Sequence, residues 1–71
     1  AGAAHDLFIV QLAAKALDQI VDEPQWQLFL SRQIGDDGAH SAATQERIRE
    51  LSGQDPTEDV KKQVRWHWEY L

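Results

Sequence analysis

The sequence predicts an all-α fold, and three observations lead to this prediction. Apolar residues recur at helical spacing through most of the 71 residues. Pro24 suits the first turn of a helix, and Gly53 suits the position just after a helix end. Asp55 and Pro56 then mark the start of another helix. We therefore expect residues 1–71 to be a single helical domain or a fragment of one, with helices over about 4–22, 24–52 and 56–71.

The first helix carries an acid on its expected core side. With 100° of rotation per residue, six apolar residues fall within about 60° of Asp6. They are Ile9, Val10, Ala13, Leu17, Ile20 and Val21. Asp6 is thus either a functional acid on this stripe or a first-turn acid that complements the helix dipole. The short break before Pro24 predicts that the first two helices form a long antiparallel hairpin.

The second helix contains a weak point at Gly35 and Gly38. Each glycine costs about 1 kcal/mol relative to alanine inside a helix, which by itself favours a loop. The apolar stripe nevertheless keeps its phase across the two glycines, so we expect a continuous helix, and the loop remains the alternative. The residues on the stripe are Trp26, Leu30, Ile34, Asp37, His40, Thr44, Ile48 and Leu51. Trp26 is interpreted as a core anchor, and the glycines as positions of close helix approach or of a local bulge.

The third helix is shorter and rich in aromatic residues. Asp55 is its predicted N-cap, with Pro56 at the first position and Glu58 reaching back as in a capping box. One face is predicted to carry Val60, Val64, His67 and Leu71, with His67 as a packed or interface histidine. His5, on the first helix, is expected to be exposed. Six further residues indicate a second apolar contact surface: Phe8, Leu12, Leu28, Trp66, Trp68 and Tyr70.

Composition excludes several classes of function. The chain has no cysteine, which excludes disulfides and thiolate chemistry. A net charge of −5 makes it a poor candidate for nucleic-acid binding. No apolar run reaches the roughly 18 residues of a membrane span, and residues 7–21 lack the basic start of a signal peptide. We therefore expect a cytoplasmic location. Ala1 and Leu71 fit either a fragment of a longer protein or natural ends.

Asp37 and His40 form a carboxylate-x-x-histidine step on the expected core side of the second helix. Burying ionisable groups costs several kcal/mol unless they are paired or hold a metal. Residues at i and i+3 lie on one helix face and can ligate one ion. Asp6, on the neighbouring helix, can lie at the same depth of the hairpin. These three residues are the predicted metal ligands, with iron favoured by carboxylate-rich ligation.

This arrangement resembles the ferritin-like dimetal-carboxylate (diiron) superfamily, over roughly Asp6–Leu51. In that family two helical hairpins form a four-helix bundle, and each supplies an acid and an acid-x-x-histidine step. The resemblance implies a half-bundle completed by dimerisation or by further sequence, a two-metal site holding iron or possibly manganese, and an oxygen-dependent oxidoreductase. Three departures stand out: Asp37 replaces the usual glutamate, Gly35 and Gly38 accompany the step, and a second acid-x-x-histidine is missing.

The competing hypothesis is a non-enzymatic helical module for protein interaction or oligomerisation. In this interpretation Asp37 caps a short helix after a glycine-rich turn, and His40 is an ordinary histidine. The partner would be a second copy of the chain, giving a homo-oligomer, or other helices of a larger protein. The two hypotheses differ in whether Asp6 and His40 face each other across the hairpin.

Overall fold

A computed structural model describes residues 2–71, and every regular element among them is an α-helix. The helices are α1 (Gly2–Leu17), α2 (Pro24–Ser52) and α3 (Thr57–Tyr70). The prediction of an all-α fold is confirmed. None of these helices is long and apolar enough to cross a lipid bilayer.

α1 ends at Leu17, so the prediction that it continues to Asp22 is wrong. The chain instead reverses through turns, in which Gln19 N–H donates to the Ala16 carbonyl oxygen at 3.0 Å and Glu23 N–H to that of Ile20 at 3.0 Å. Ending the helix early loses little apolar burial, because residue 21, at the far end of the predicted stripe, stays exposed. A helix through residue 22 would also leave almost no chain for the reversal.

α2 begins at Pro24 and ends at Ser52, the residues that the sequence predicts, and it continues through Gly35 and Gly38 without a break. It stops because Gly53 adopts a left-handed conformation with φ of 71°. The Gly53 N–H donates to the Arg49 carbonyl oxygen at 2.9 Å, which satisfies one of the free carbonyls at the helix end.

Asp55 fixes the start of α3. Its carboxylate accepts hydrogen bonds from the Thr57 hydroxyl at 2.6 Å and from the Thr57 N–H at 3.1 Å. These two bonds, aided by the charge of Arg49, lower the pKa of Asp55. The structural N-cap is Pro56 rather than Asp55. Glu58 lies 3.4 Å from the Lys61 ammonium.

The three helices lie side by side, with α1 between α2 and α3. Towards α2, the buried Ser41 hydroxyl donates to the Ala3 carbonyl oxygen at 2.9 Å. Towards α3, a small core forms from Ala3, Ala4, Val60 and Val64, with Leu7 packed against it. The resulting body measures 45 × 24 × 13 Å, so it is about one helix thick. Most domains bury their hydrophobic core between two layers of secondary structure, whereas this chain forms a single layer.

α2 is rotated relative to the predicted stripe. The buried Ser41 faces α1, and Gly38 lies beside Val10. The small Ser41 side chain lets the two backbones approach closely at its position, and the contact line runs from Ile34 to Ser41 rather than through Asp37. The predicted core anchor Trp26 therefore lies at the margin and is 53% exposed.

Candidate functional site

The three predicted metal ligands occupy different environments. Asp6 and Asp37 are half-buried, whereas His40 is exposed. The Asp37 carboxylate accepts a hydrogen bond from Gln33 Nε2 at 2.8 Å, so its partner in the structure is an amide one turn earlier in α2. The expectation that His40 points into the hairpin is wrong, because the helix rotation carries it about 120° from the contact line through Ile34.

Residues 2–71 contain no group of three or more histidine, aspartate or glutamate side chains close enough to hold one metal ion. Asp6, Asp37 and His40 are thus not assembled as a three-ligand set in this arrangement. Their role as metal ligands remains a prediction, which needs a direct measurement of bound metal.

The dominant feature of the surface is a large exposed apolar area. No large side chain among the described residues is fully buried, and the core consists mostly of alanine and valine. Many large apolar residues are instead exposed. They are Leu12, Val21, Trp26, Leu28, Phe29, Ile48, Leu51, Trp66, Trp68, Tyr70 and Leu71. The sequence predicts part of this set as a second contact surface, and Phe8, predicted with it, is only 8% exposed because α3 covers it.

Aromatic side chains join α1 to α3. Phe8 meets the Trp68 ring edge-on, with ring centroids 4.9 Å apart. Trp68 Nε1 donates to Gln11 Oε1 at 2.6 Å, and the Lys15 ammonium lies 4.3 Å from the Trp68 ring centroid. The Trp68 side chain therefore holds α3 against α1 through an aromatic contact, an N–H donor and a cation–π contact.

An open groove of about 460 Å³ runs beside this contact. Leu7 and Gln11 line it from α1, and Val64, Arg65 and Trp68 are among its residues from α3. The groove is shallow and mixed in character, since Lys61, Arg65 and Glu58 line it together with apolar residues. It lacks the deep apolar enclosure of a small-molecule site, which usually buries most of its ligand.

Comparisons with known protein families, with characterised proteins and with solved structures found no match for this chain. The interpretation of function therefore depends on the geometry and chemistry of the chain itself.

Sequence reasoning missed three contacts between helices. Ser41 bonds to Ala3, Trp68 to Gln11, and the His67 ring packs beside that of His5. Each joins residues far apart in sequence, so helical periodicity carries no signal for it. The small residues of α1 and α2 were the available clue for Ser41, because they mark where the two backbones can approach.

Proposed function

We propose that this chain is a helical association module, which packs its exposed apolar surface against further helices, first those of a second copy of itself. The observation that supports this proposal most directly is the surface area. The chain of 8.1 kDa exposes 5248 Å², whereas a monomer of that mass exposes about 4,500 Å².

The excess of about 750 Å² has a physical meaning. A standard protein–protein interface removes about 800 Å² from each partner. One such interface would therefore bring this chain to the surface area of an ordinary folded protein of its size. The area argues for one helical partner of similar footprint, as a second copy would provide.

The shape of the molecule supports the same proposal. Its radius of gyration is 13.7 Å, compared with about 11 Å for a compact domain of this length. The difference arises mainly from the 45 Å long axis, which matches the length of α2, while the three helices lie in a single layer with two open faces. A second layer packed on either face would make the assembly compact.

The strongest candidate contact on this surface is on the first turns of α2. Trp26 and Phe29 meet edge-on with ring centroids 6.0 Å apart, and the side chains are 53% and 57% exposed. Aromatic anchors of this kind carry much of the binding energy in protein interfaces. We define Trp26 and Phe29 as the α2 apolar patch.

Sedimentation velocity over a concentration series tests this proposal. We expect the wild-type chain to form dimers, and the Trp26→Ala/Phe29→Ala variant to dimerise about 10- to 100-fold more weakly. Arg47→Ala is the matched control, because Arg47 is exposed on α2 and lies about 27 Å along the helix from Phe29, outside the patch. The control should dimerise like the wild type.

A wild-type chain that stays monomeric throughout the series would contradict self-association. Dimers that persist unchanged in Trp26→Ala/Phe29→Ala would show that the α2 apolar patch is not the contact.

The ferritin-like dimetal hypothesis is the second proposal. Two observations favour it: α2 is continuous, so Asp37 and His40 keep their i, i+3 spacing, and Asp6 and Asp37 are both half-buried. A working site would require rotation of α2 to bring His40 inward. Elemental analysis tests it, since stoichiometric iron or manganese that disappears in Asp37→Ala would support an oxidoreductase site and its absence would count against one.

A further inference from the structure

The geometry points to a two-histidine site for a transition-metal ion, formed by His5 of α1 and His67 of α3. The two ring centroids are 5.7 Å apart and the rings are tilted by 54°. With metal–nitrogen distances of about 2.0–2.1 Å, two imidazoles on one ion have centroids about 5–6 Å apart. The pair therefore has the spacing of two ligands of a single ion.

A hydrogen bond prepares His67 for this role. Its Nδ1 lies 2.6 Å from the Gln63 carbonyl oxygen. A carbonyl oxygen only accepts, so Nδ1 carries the proton and, in the neutral ring, Nε2 keeps its lone pair. Histidines that bind metals usually donate their other ring N–H to a carbonyl or carboxylate in this way, which fixes both the tautomer and the ring orientation.

Aromatic packing holds the His67 ring in place. The ring centroid of Phe8, on α1, lies 5.2 Å from that of His67, and the ring centroid of the adjacent Trp66 lies 5.6 Å from it. His67 is half-buried and His5 is exposed, so the ring position is defined while an ion can still enter from solvent. Held ligands lose less conformational entropy on binding.

Charge and ligand type define the class of ion. Imidazole nitrogen prefers Cu²⁺, Ni²⁺ and Zn²⁺, whereas Mg²⁺ and Ca²⁺ prefer oxygen. The net charge of −5 attracts cations to the surface. Water would complete the coordination shell. Because the two ligands belong to different helices, binding would also tie α3 to α1, and the site is separate from the residues Asp6, Asp37 and His40.

Titration of the intact chain with NiCl₂ and CuCl₂, followed by tryptophan fluorescence and calorimetry, tests this inference. We expect saturable binding of one ion per chain with quenching, because Trp66 lies beside His67. With ZnCl₂ at ten times its dissociation constant, Tm should rise by about 5–10 °C. MgCl₂ should produce neither effect.

Three variants make the result specific. His5→Ala should weaken binding at least 10-fold, and its exposed position makes misfolding a minor concern. His67→Phe should do the same while keeping an aromatic ring against Phe8. His40→Ala is the matched control and should bind like the wild type, because His40 lies on α2 and takes no part in the pair.

Three outcomes would overturn the inference. The first is wild-type protein that shows no saturable binding of any of the three ions. The second is binding that survives in both His5→Ala and His67→Phe. The third is binding that is lost in His40→Ala alone, which would place the ion at the acid-x-x-histidine step of α2.

Discussion

Ser41 is the residue on which the contact between α1 and α2 depends most directly. Its hydroxyl bridges the two helices by donating to the Ala3 carbonyl oxygen, and it is the one polar residue counted as buried within 2–71. A buried hydrogen bond contributes about 1 kcal/mol, and the small serine side chain also permits the close approach of the two backbones. A single hydroxyl thus both stabilises the contact between α1 and α2 and fixes how the two helices are aligned along their length.

Ser41→Ala should lower the free energy of unfolding by about 1 kcal/mol more than Ser31→Ala does. Ser31 is the matched control, because its hydroxyl donates within α2 to the Gln27 carbonyl oxygen at 2.8 Å and is exposed. Both substitutions gain the same helix propensity, so their difference reports the two bonds of the Ser41 hydroxyl, to the Ala3 carbonyl oxygen and from Gln45 Nε2 at 3.1 Å. Urea denaturation at one fixed protein concentration measures this difference. Equal effects of the two variants would show that the bonds of Ser41 contribute nothing to stability.

The surroundings of the candidate ligands were harder to predict than the helix positions. Asp37 and His40 share a helix face as their spacing requires, yet that face is turned away from the contact line, so His40 meets solvent. Periodicity fixes the angle between two residues on one helix but not how that helix rotates against its neighbour. The rotation brings the small, buried Ser41 against α1, and a stripe drawn through the apolar residues does not include a serine.

Helix ends were predicted well where a residue acts through its own backbone. Pro24 starts α2 because its fixed φ suits the first turn, and Gly53 ends it by adopting a positive φ. α1 has no such signal at its end, so extending the apolar stripe to residue 22 was wrong. The position of α3 beside α1 depends on Phe8, Trp68 and Gln11, whose contacts no local pattern contains.

Substitution by alanine should change the stability in opposite directions at the glycines inside α2 and at the glycine that follows its C-terminal end. At Gly35 an added Cβ meets nothing within 4 Å, and at Gly38 it meets Val10 Cγ2 at 3.9 Å, an ordinary contact. Gly35→Ala and Gly38→Ala should each therefore stabilise by about 0.5–1 kcal/mol. Gly53→Ala should destabilise by about 1 kcal/mol, because φ is 71° there. Thermal and urea denaturation report both signs.

The sign at Gly38 also bears on the arrangement of the hairpin. The sequence suggests that glycine there serves close helix approach, whereas the contact with Val10 leaves room for a methyl group. Destabilisation by Gly38→Ala would mean that α1 and α2 approach more closely than in the structure, and Gly35→Ala serves as the control for helix propensity alone.

At the scale of the whole molecule, the three helices carry more apolar surface than they bury in their small core. A layer about one helix thick leaves large apolar side chains on both open faces, and the buried cluster consists of Ala3, Ala4, Val60 and Val64. Small domains are marginal even when compact, because they bury only about 60% of their unfolded surface. Association through the open faces would add the apolar burial that the isolated layer lacks.

Stability should therefore depend on protein concentration. When folding is coupled to dimerisation, mass action favours the folded dimer, and Tm should rise by about 4–5 °C for each tenfold increase in concentration. Circular dichroism melts between micromolar and millimolar protein measure this slope. Trp26→Ala/Phe29→Ala should flatten it, whereas Arg47→Ala should leave it unchanged. A Tm that is independent of concentration in the wild type would mean that the single layer is stable alone, and association would then contribute to function without contributing to folding.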